Sequence, residues 1–181
     1  QMVAVTVRAG SKAEMALPDG TFVHLNAATN LEYDVNNSKQ RLVKLSGEAF
    51  FDVAKNPDCP FKVIINDLQI EVVGTSFNVK TYKKDIVETS LLSGRIRISG
   101  GSLPHEYTLS PGQKATYSAM DRTLRISKAD AHVEAGWRDN YLIFESTPLI
   151  DVIAQIERWY GVEIRLHHKQ IAQDLLSGSF R

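Results

Sequence analysis

Apolar and polar residues alternate with a period of two through most of residues 2 to 127. Val3, Val5 and Val7 alternate with Ala4 and Thr6, and Ala13, Met15 and Leu17 alternate with Lys12, Glu14 and Ala16. The same rule runs through Val23 and Leu25, then Ala49, Phe51 and Val53, then Phe61, Val63 and Ile65, then Leu68, Ile70 and Val72. It continues in Phe77 and Val79, Ile96 and Ile98, Ala115 and Tyr117, and Leu124 and Ile126. Such alternation places apolar side chains on one face of a half-buried strand. It predicts about a dozen short strands at the spacing of an all-β architecture. No stretch before residue 147 shows a helical period, so this part reads as a multi-stranded antiparallel β domain, either a sandwich or a solenoid-like stack.

The turns between strands have their own chemistry. Leu17-Pro18-Asp19-Gly20-Thr21 offers Pro where φ near −65° is wanted and Gly where φ must be positive, a tight hairpin. Leu-Ser-Gly recurs at Leu45–Gly47, Leu92–Gly94 and Leu176–Gly178, with Ser110-Pro111-Gly112 as a variant. The separations are unequal, so this is reused turn chemistry and not a repeat array. Asn36-Asn37-Ser38-Lys39 reads as a polar loop.

The pattern changes near Ala135. Tyr141 to Glu145 reads as a strand, Thr147 as a helix N-cap and Pro148 as the first helical residue. Leu149, Val152, Ile153, Ile156 and Trp159 then form one stripe of an amphipathic helix that Gly161 ends. Trp159 belongs to that stripe, and Tyr160 lies at its edge, open to partial exposure. Val162, Ile164 and Leu166 alternate again, predicting a second strand and a small βαβ unit with a right-handed crossover. The expected division is 1–134 for the β domain and 135–181 for the βαβ domain.

Composition narrows the function classes. The 181 residues carry 21 Lys+Arg and 21 Asp+Glu, so no basic field attracts nucleic acid or an anionic membrane. Apolar runs stay far below the ~20 residues that span a bilayer. The chain opens on Gln1 and stops as an apolar segment begins, so both ends read as cut. A single cysteine, Cys59, gives no internal disulfide and no Cys-rich zinc site.

No candidate chemistry survives its own geometry. Glu48 and Asp52 share a strand face, but four residues of strand rise separate them by ~13 Å. Glycosidase carboxylates stand about 5 to 9.5 Å apart, which argues against a hydrolase. His167 and His168 face opposite sides of a predicted strand and make poor co-ligands. His24 reads as a surface residue. Gly74-Thr75-Ser76-Phe77-Asn78 has no helix after it to hold a phosphate and reads as a turn into a strand. Arg95 and Arg97, with Arg122 and Arg125, read as a solvated face. Tyr33, Tyr82 and Phe50 suggest an alternative, a carbohydrate-binding β module. No metal or cofactor is expected.

Whole strings along the chain resemble the periplasmic part of the FecR-like anti-sigma factors. They are Leu17-Pro18-Asp19-Gly20-Thr21, Leu25-Asn26-Ala27, Gly47-Glu48-Ala49-Phe50-Phe51-Asp52-Val53, Pro60-Phe61 and Gly74-Thr75-Ser76-Phe77-Asn78-Val79. Leu92 with Gly94, Pro111-Gly112-Gln113, Trp137-Arg138, Phe144, Pro148-Leu149 and Glu157-Arg158-Trp159-Tyr160-Gly161-Val162 complete the series. The resemblance implies a single-pass inner-membrane regulator whose cytoplasmic segment binds an extracytoplasmic-function sigma factor. It implies a periplasmic part that a TonB-dependent outer-membrane transducer contacts through a small signalling domain. Sigma factor and membrane are then met only through segments outside these residues. The C-terminal unit resembles the secretin/TonB short N-terminal fold. Tyr141, Ile143, Tyr160, Val162, Ile164 and Leu166 are the expected partner-binding residues. Asp19, Gly20, Asn26, Gly47, Glu48, Phe51, Gly74, Thr75, Phe77, Asn78 and Gly112 are expected to serve the scaffold.

Overall fold

In the computed structural model, which describes residues 2–35 and 40–181, the ten alternating segments become strands and four further strands join them, fourteen in all. The polar loop expected at 36–39 lies outside the described residues. In chain order the strands are β1 (Met2–Val7), β2 (Ala13–Ala16), β3 (Phe22–Leu25), β4 (Thr29–Asp34), β5 (Arg41–Ser46), β6 (Glu48–Asp52) and β7 (Phe61–Ile65). They continue with β8 (Leu68–Val72), β9 (Ser76–Lys80), β10 (Ile86–Ser93), β11 (Ile96–Gly100), β12 (Tyr107–Leu109), β13 (Gln113–Ser118) and β14 (Thr123–Lys128).

Two seven-stranded sheets result, ordered β1-β4-β5-β7-β8-β11-β12 and β14-β13-β10-β9-β6-β3-β2. The fold is therefore a sandwich. Along each sheet the strands still follow chain order, so the polypeptide lays both sheets down as it advances, the solenoid-like trait. The pairing is antiparallel except between β5 and β7, which run parallel with Arg41 opposite Phe61. β6, which belongs to the other sheet, separates β5 from β7 in the chain.

The in-phase residues meet between the sheets. Phe51 and Phe77 sit opposite each other on β6 and β9 and stack at 5.3 Å, while Phe61 reaches across from the facing sheet at 5.8 Å. All three are fully buried. Turn residues behave as their chemistry demands: Gly20, Gly47, Gly94 and Gly112 all adopt positive φ. Asp19 accepts the Thr21 N–H at 3.0 Å and an Arg41 guanidinium N–H at 3.1 Å.

After β14 come a short helix α1 (Ala131–Ala135), a 3-10 turn (Gly136–Asp139), strand β15 (Leu142–Pro148), helix α2 (Leu149–Tyr160), a second 3-10 turn (Lys169–Gln173) and strand β16 (Leu175–Phe180). The helix α1 was not expected; five residues are too few to display a period. Asp130 caps it by accepting the His132 N–H at 2.8 Å.

Four expectations for this region need correction. Thr147 and Pro148 remain in β15, and α2 starts at Leu149, whose N–H bonds Asp174 O at 2.8 Å. The Thr147 hydroxyl instead bonds Glu145 locally. Leu176–Gly178 is part of β16, not a turn. Val162–Leu166 forms no strand, because its alternation finds no neighbouring strand to pair with; Ile164 N–H bonds only the Glu157 carboxylate, at 2.8 Å. The returning strand β16 pairs antiparallel with β15, so a right-handed parallel crossover does not form. Gly161 does end α2 as expected, at φ +66° with its N–H on Glu157 O.

Candidate functional site at the junction of the sandwich and the C-terminal region

β6 breaks the one-sided burial of a surface strand. Ala49 and Phe51 enter the core, yet Glu48 and Phe50, which point the other way, are buried too. On β9, Asn78 is likewise buried on the outer side between Phe77 and Val79. The outer face of this sheet is covered by α1, the 3-10 turn after it and α2. Phe50 packs there with Ala135 and Trp137, and Trp159 leans on the same cluster.

A polar chain runs through this covered face. The Trp137 indole N–H donates to Asn78 Oδ1 at 3.1 Å, and Asn78 Nδ2 donates to Glu48 Oε1 at 2.9 Å. From the other side Asn26 Nδ2 donates to Glu48 Oε2 at 2.8 Å, and Asn26 Oδ1 accepts the Ala27 N–H at 2.8 Å. Both ends of the chain are donors that cannot reverse, an indole and a backbone amide. Each asparagine must therefore present its oxygen outward and its amide inward. The central group must then accept at both ends, which a carboxylate does and a carboxamide does not.

Burial raises the Glu48 pKa; Lys80, the two amides and Arg158 pull it back. Next to it, the Tyr82 hydroxyl donates to Ala27 O, and Thr29 Oγ1 accepts the Glu48 N–H at 3.0 Å. Burial first, and the Glu48 charge second, push the Tyr82 phenol pKa up. Among the described residues no buried side-chain nitrogen or oxygen lacks a partner.

Cations close the junction from its rim. Lys12, in the β1–β2 turn, donates to Trp137 O at 2.7 Å and Asn140 Oδ1 at 3.0 Å, and lies 3.4 Å above the Trp159 ring centre. Burial lowers its pKa, against the pull of Glu48. Arg158 lies 3.9 Å over Tyr82 and Arg138 lies 3.6 Å over Phe50. Gly10 N–H bonds Arg158 O at 2.8 Å. This approach needs glycine on both sides: both residues have positive φ, and a Cβ on Gly161 would sit 3.3 Å from Ala9 O. Lys83–Asp151 and Lys114–Glu134, each at 2.7 Å, bridge further out. Between the two parts a cleft of about 350 Å³ remains, lined by Glu48, Lys80, Tyr82, Lys114, Glu134 and Arg158 among others.

The expected residues distribute as follows. Asn26, Glu48 and Asn78, expected to serve the scaffold, meet in the junction. Phe51 and Phe77 are core, and Asp19, Gly20, Gly47 and Gly112 form turns. At Gly74 a Cβ would strike the Lys55 backbone at 2.8 Å, and the Thr75 hydroxyl holds Arg95 O at 3.1 Å. Of the expected partner-binding residues, Tyr141 and Ile143 line the cleft on the β15 side. Tyr160, the last residue of α2, and Val162 and Ile164 beyond it are exposed, and Leu166 is half-buried. Lys12 and Arg158 were not singled out by sequence reasoning. One signal did exist: Phe50 is an aromatic out of phase in its strand.

The alternatives lose their footing here. Phe50 lies under Arg138 and Tyr82 under Arg158, while Tyr33 is half-buried in the opposite sheet, so these three form no shared aromatic platform. Glu48 is buried and Asp52 exposed, with Asp52 bonded to Ser76 at 2.7 Å. His24 is half-buried against Phe22 and Phe50 and pairs with Glu14 at 3.2 Å. Arg97 pairs with Glu71 on one sheet, whereas Arg125 lies on the edge strand of the other. Among the described residues no group of three or more metal-ligating side chains is brought together. Nor, among them, is any helix long and apolar enough to cross a membrane.

A sandwich laid down in chain order carries a docked C-terminal helix and two-stranded sheet. Residues 3–97 match the family model "FecR protein" and residues 141–181 match "FecR, C-terminal". The chain belongs to the FecR family, whose members are non-enzymatic regulators. Two crystal structures of a candidate anti-sigma factor from Parabacteroides distasonis ATCC 8503 are similar, each with 31% identity and a TM-score of 0.89. The matches cover 98% and 99% of this chain, and 84% of each of those chains. No curated protein matches.

Proposed function

We propose that this chain is the periplasmic signal-relay region of a transmembrane anti-sigma factor. It receives a signal from the small signalling domain of a TonB-dependent outer-membrane transducer and so controls an extracytoplasmic-function sigma factor. In this reading the sandwich occupies 1–134 and the receiving unit 135–181. Sigma-factor contact and membrane anchorage belong to segments of the polypeptide outside these residues.

The observation that carries the reading is the uneven distribution of exposed apolar surface in a FecR-family chain. Tyr141, Ile150, Tyr160, Val162, Ile164, Ile171, Leu175 and Phe180 are all exposed, eight of the fourteen exposed large apolar residues among those described. They fall within its last 41 residues, 141 to 181. Apolar exposure concentrated in one region of a chain suits that region to contact another protein. An alternating, unpaired segment such as Val162–Leu166 is suited to accept a partner strand.

Titrating the isotope-labelled chain with a purified transducer signalling domain tests this. Amide shifts should move within 141–168. Shifts confined to 1–134, or no binding, would overturn the placement.

A further inference from the structure

The junction is built unlike the two cores it joins. Its apolar part is the small cluster of Phe50, Ala135 and Trp137, separate from the core between the sheets. The C-terminal region has its own cluster of Leu142, Phe144 and Val152, against which Trp159 also packs. Trp159 thus links the junction to the C-terminal cluster, and Lys12 covers its ring. The remaining ties are hydrogen bonds, ion pairs and cations on aromatic faces, and the cleft of about 350 Å³ keeps part of the junction unpacked. Small, polar and incompletely packed contacts between parts of one chain favour relative motion. Opening here breaks neither core.

We propose that the C-terminal region is seated on the sandwich by a reversible latch, with Lys12 as its catch, and that it unseats as a body while the two sheets stay folded. Lys12 holds the backbone carbonyl of Trp137, the side chain of Asn140 and the face of Trp159 at once, so its three contacts are gained and lost together. Gly10, two residues before it, holds the last turn of α2 through Arg158 O. The β1–β2 turn therefore grips both ends of the docked segment. The biological sense of the latch, a relay element that changes position on signalling, rests on the function proposed above. The latch itself is measured without a partner.

Both tryptophans of the chain lie in the junction, which makes their accessibility a direct readout. The test combines acrylamide quenching with native-state hydrogen exchange on the whole chain. The Gly10 amide and the Trp137 indole N–H, whose bonds cross the junction, should exchange through an opening of lower free energy than the amides of β6 and β9. Lys12→Met, which keeps the aliphatic stem, should raise exchange of these two groups and tryptophan quenching together, by roughly tenfold in open population. Exchange of β6 and β9 should not change. Equal opening free energies for the two junction groups and the sandwich core in the unmodified protein would overturn the proposal. So would a Lys12→Met variant that accelerates both regions alike. Where the variant does not fold, the comparison in the unmodified protein decides.

Discussion

Replacing Glu48 by Gln tests the directional logic of the buried chain. The substitution preserves shape but supplies one acceptor where two are needed. Asn78 cannot turn its amide without losing the Trp137 indole bond, and Asn26 cannot turn without losing the Ala27 N–H. Two charge-assisted bonds of 2.8 and 2.9 Å thus become one neutral bond and one pair of opposed amide donors. Hydrogen bonds to a charged group contribute roughly 1.5–3 kcal/mol each, and a buried donor left unmade costs about 1–3 kcal/mol. Removing a buried charge returns part of this, since burial disfavours the carboxylate. A net loss of about 2 kcal/mol is expected, a fall in melting temperature of roughly 4–8 °C for a chain of this size. The decisive measurement is the double-mutant cycle with Trp137→Phe, read by urea denaturation. Removing the indole N–H frees Asn78 to turn and accept from the new carboxamide. Glu48→Gln should then cost about 1–2 kcal/mol less alongside Trp137→Phe than alone. Additivity within about 0.5 kcal/mol would show that the fixed polarity of the chain does not govern Glu48.

Two further outcomes follow from the same structure. Because the Glu48 pKa is raised on folding, the unfolded chain releases this proton first as pH rises. Its contribution is therefore complete below the ordinary Glu range, near about 4.3, and is lost up to the raised value. The stability of the unmodified protein should fall relative to Glu48→Gln across that window; parallel pH profiles would refute this. Arg41 is buried and ties three loops together, reaching Asp19 at 3.1 Å, Ala54 O at 2.6 Å and Cys59 O at 2.7 Å in the β6–β7 connection, and Val73 O at 3.3 Å. Arg41→Met should cost about 3–5 kcal/mol in denaturant unfolding, the range for breaking a buried ion pair. A loss under about 1 kcal/mol, the range of an exposed pair, would contradict that account.

The latch and the polar chain bear on one another. Glu48 is the charge toward which Lys12, Lys80 and Arg158 are drawn, and two of these three come from segments that the docking brings together. The sandwich contributes a fixed anion and the C-terminal helix a cation on a neighbouring aromatic ring. Shape complementarity is confined to Phe50, Trp137 and Trp159. The junction thus combines a specific geometry with modest apolar burial, as a joint that must both find one position and leave it requires.

Period-two alternation told which side chains face inward in ten of the fourteen sandwich strands, the exposed Ile126 excepted, because that choice is local: successive residues of a strand point to opposite faces. The turn glycines, the α2 stripe and its end at Gly161 were legible for the same reason. What covers the outer face of β6 and β9 was not, since the cover of Phe50 and Asn78 comes from residues some 60 to 110 positions further along the chain. Phe50, out of phase with Ala49 and Phe51, was the one trace of that cover. At Val162–Leu166 the limit shows from the other side. Alternation assigned a face to each residue, but a strand exists only where another strand supplies its hydrogen bonds, and here none does. Local sterics and polarity were written residue by residue. The junction, its reversed use of Asn26, Glu48 and Asn78, and the grip of Lys12 came from where distant segments land, which is a property of the packed chain as a whole.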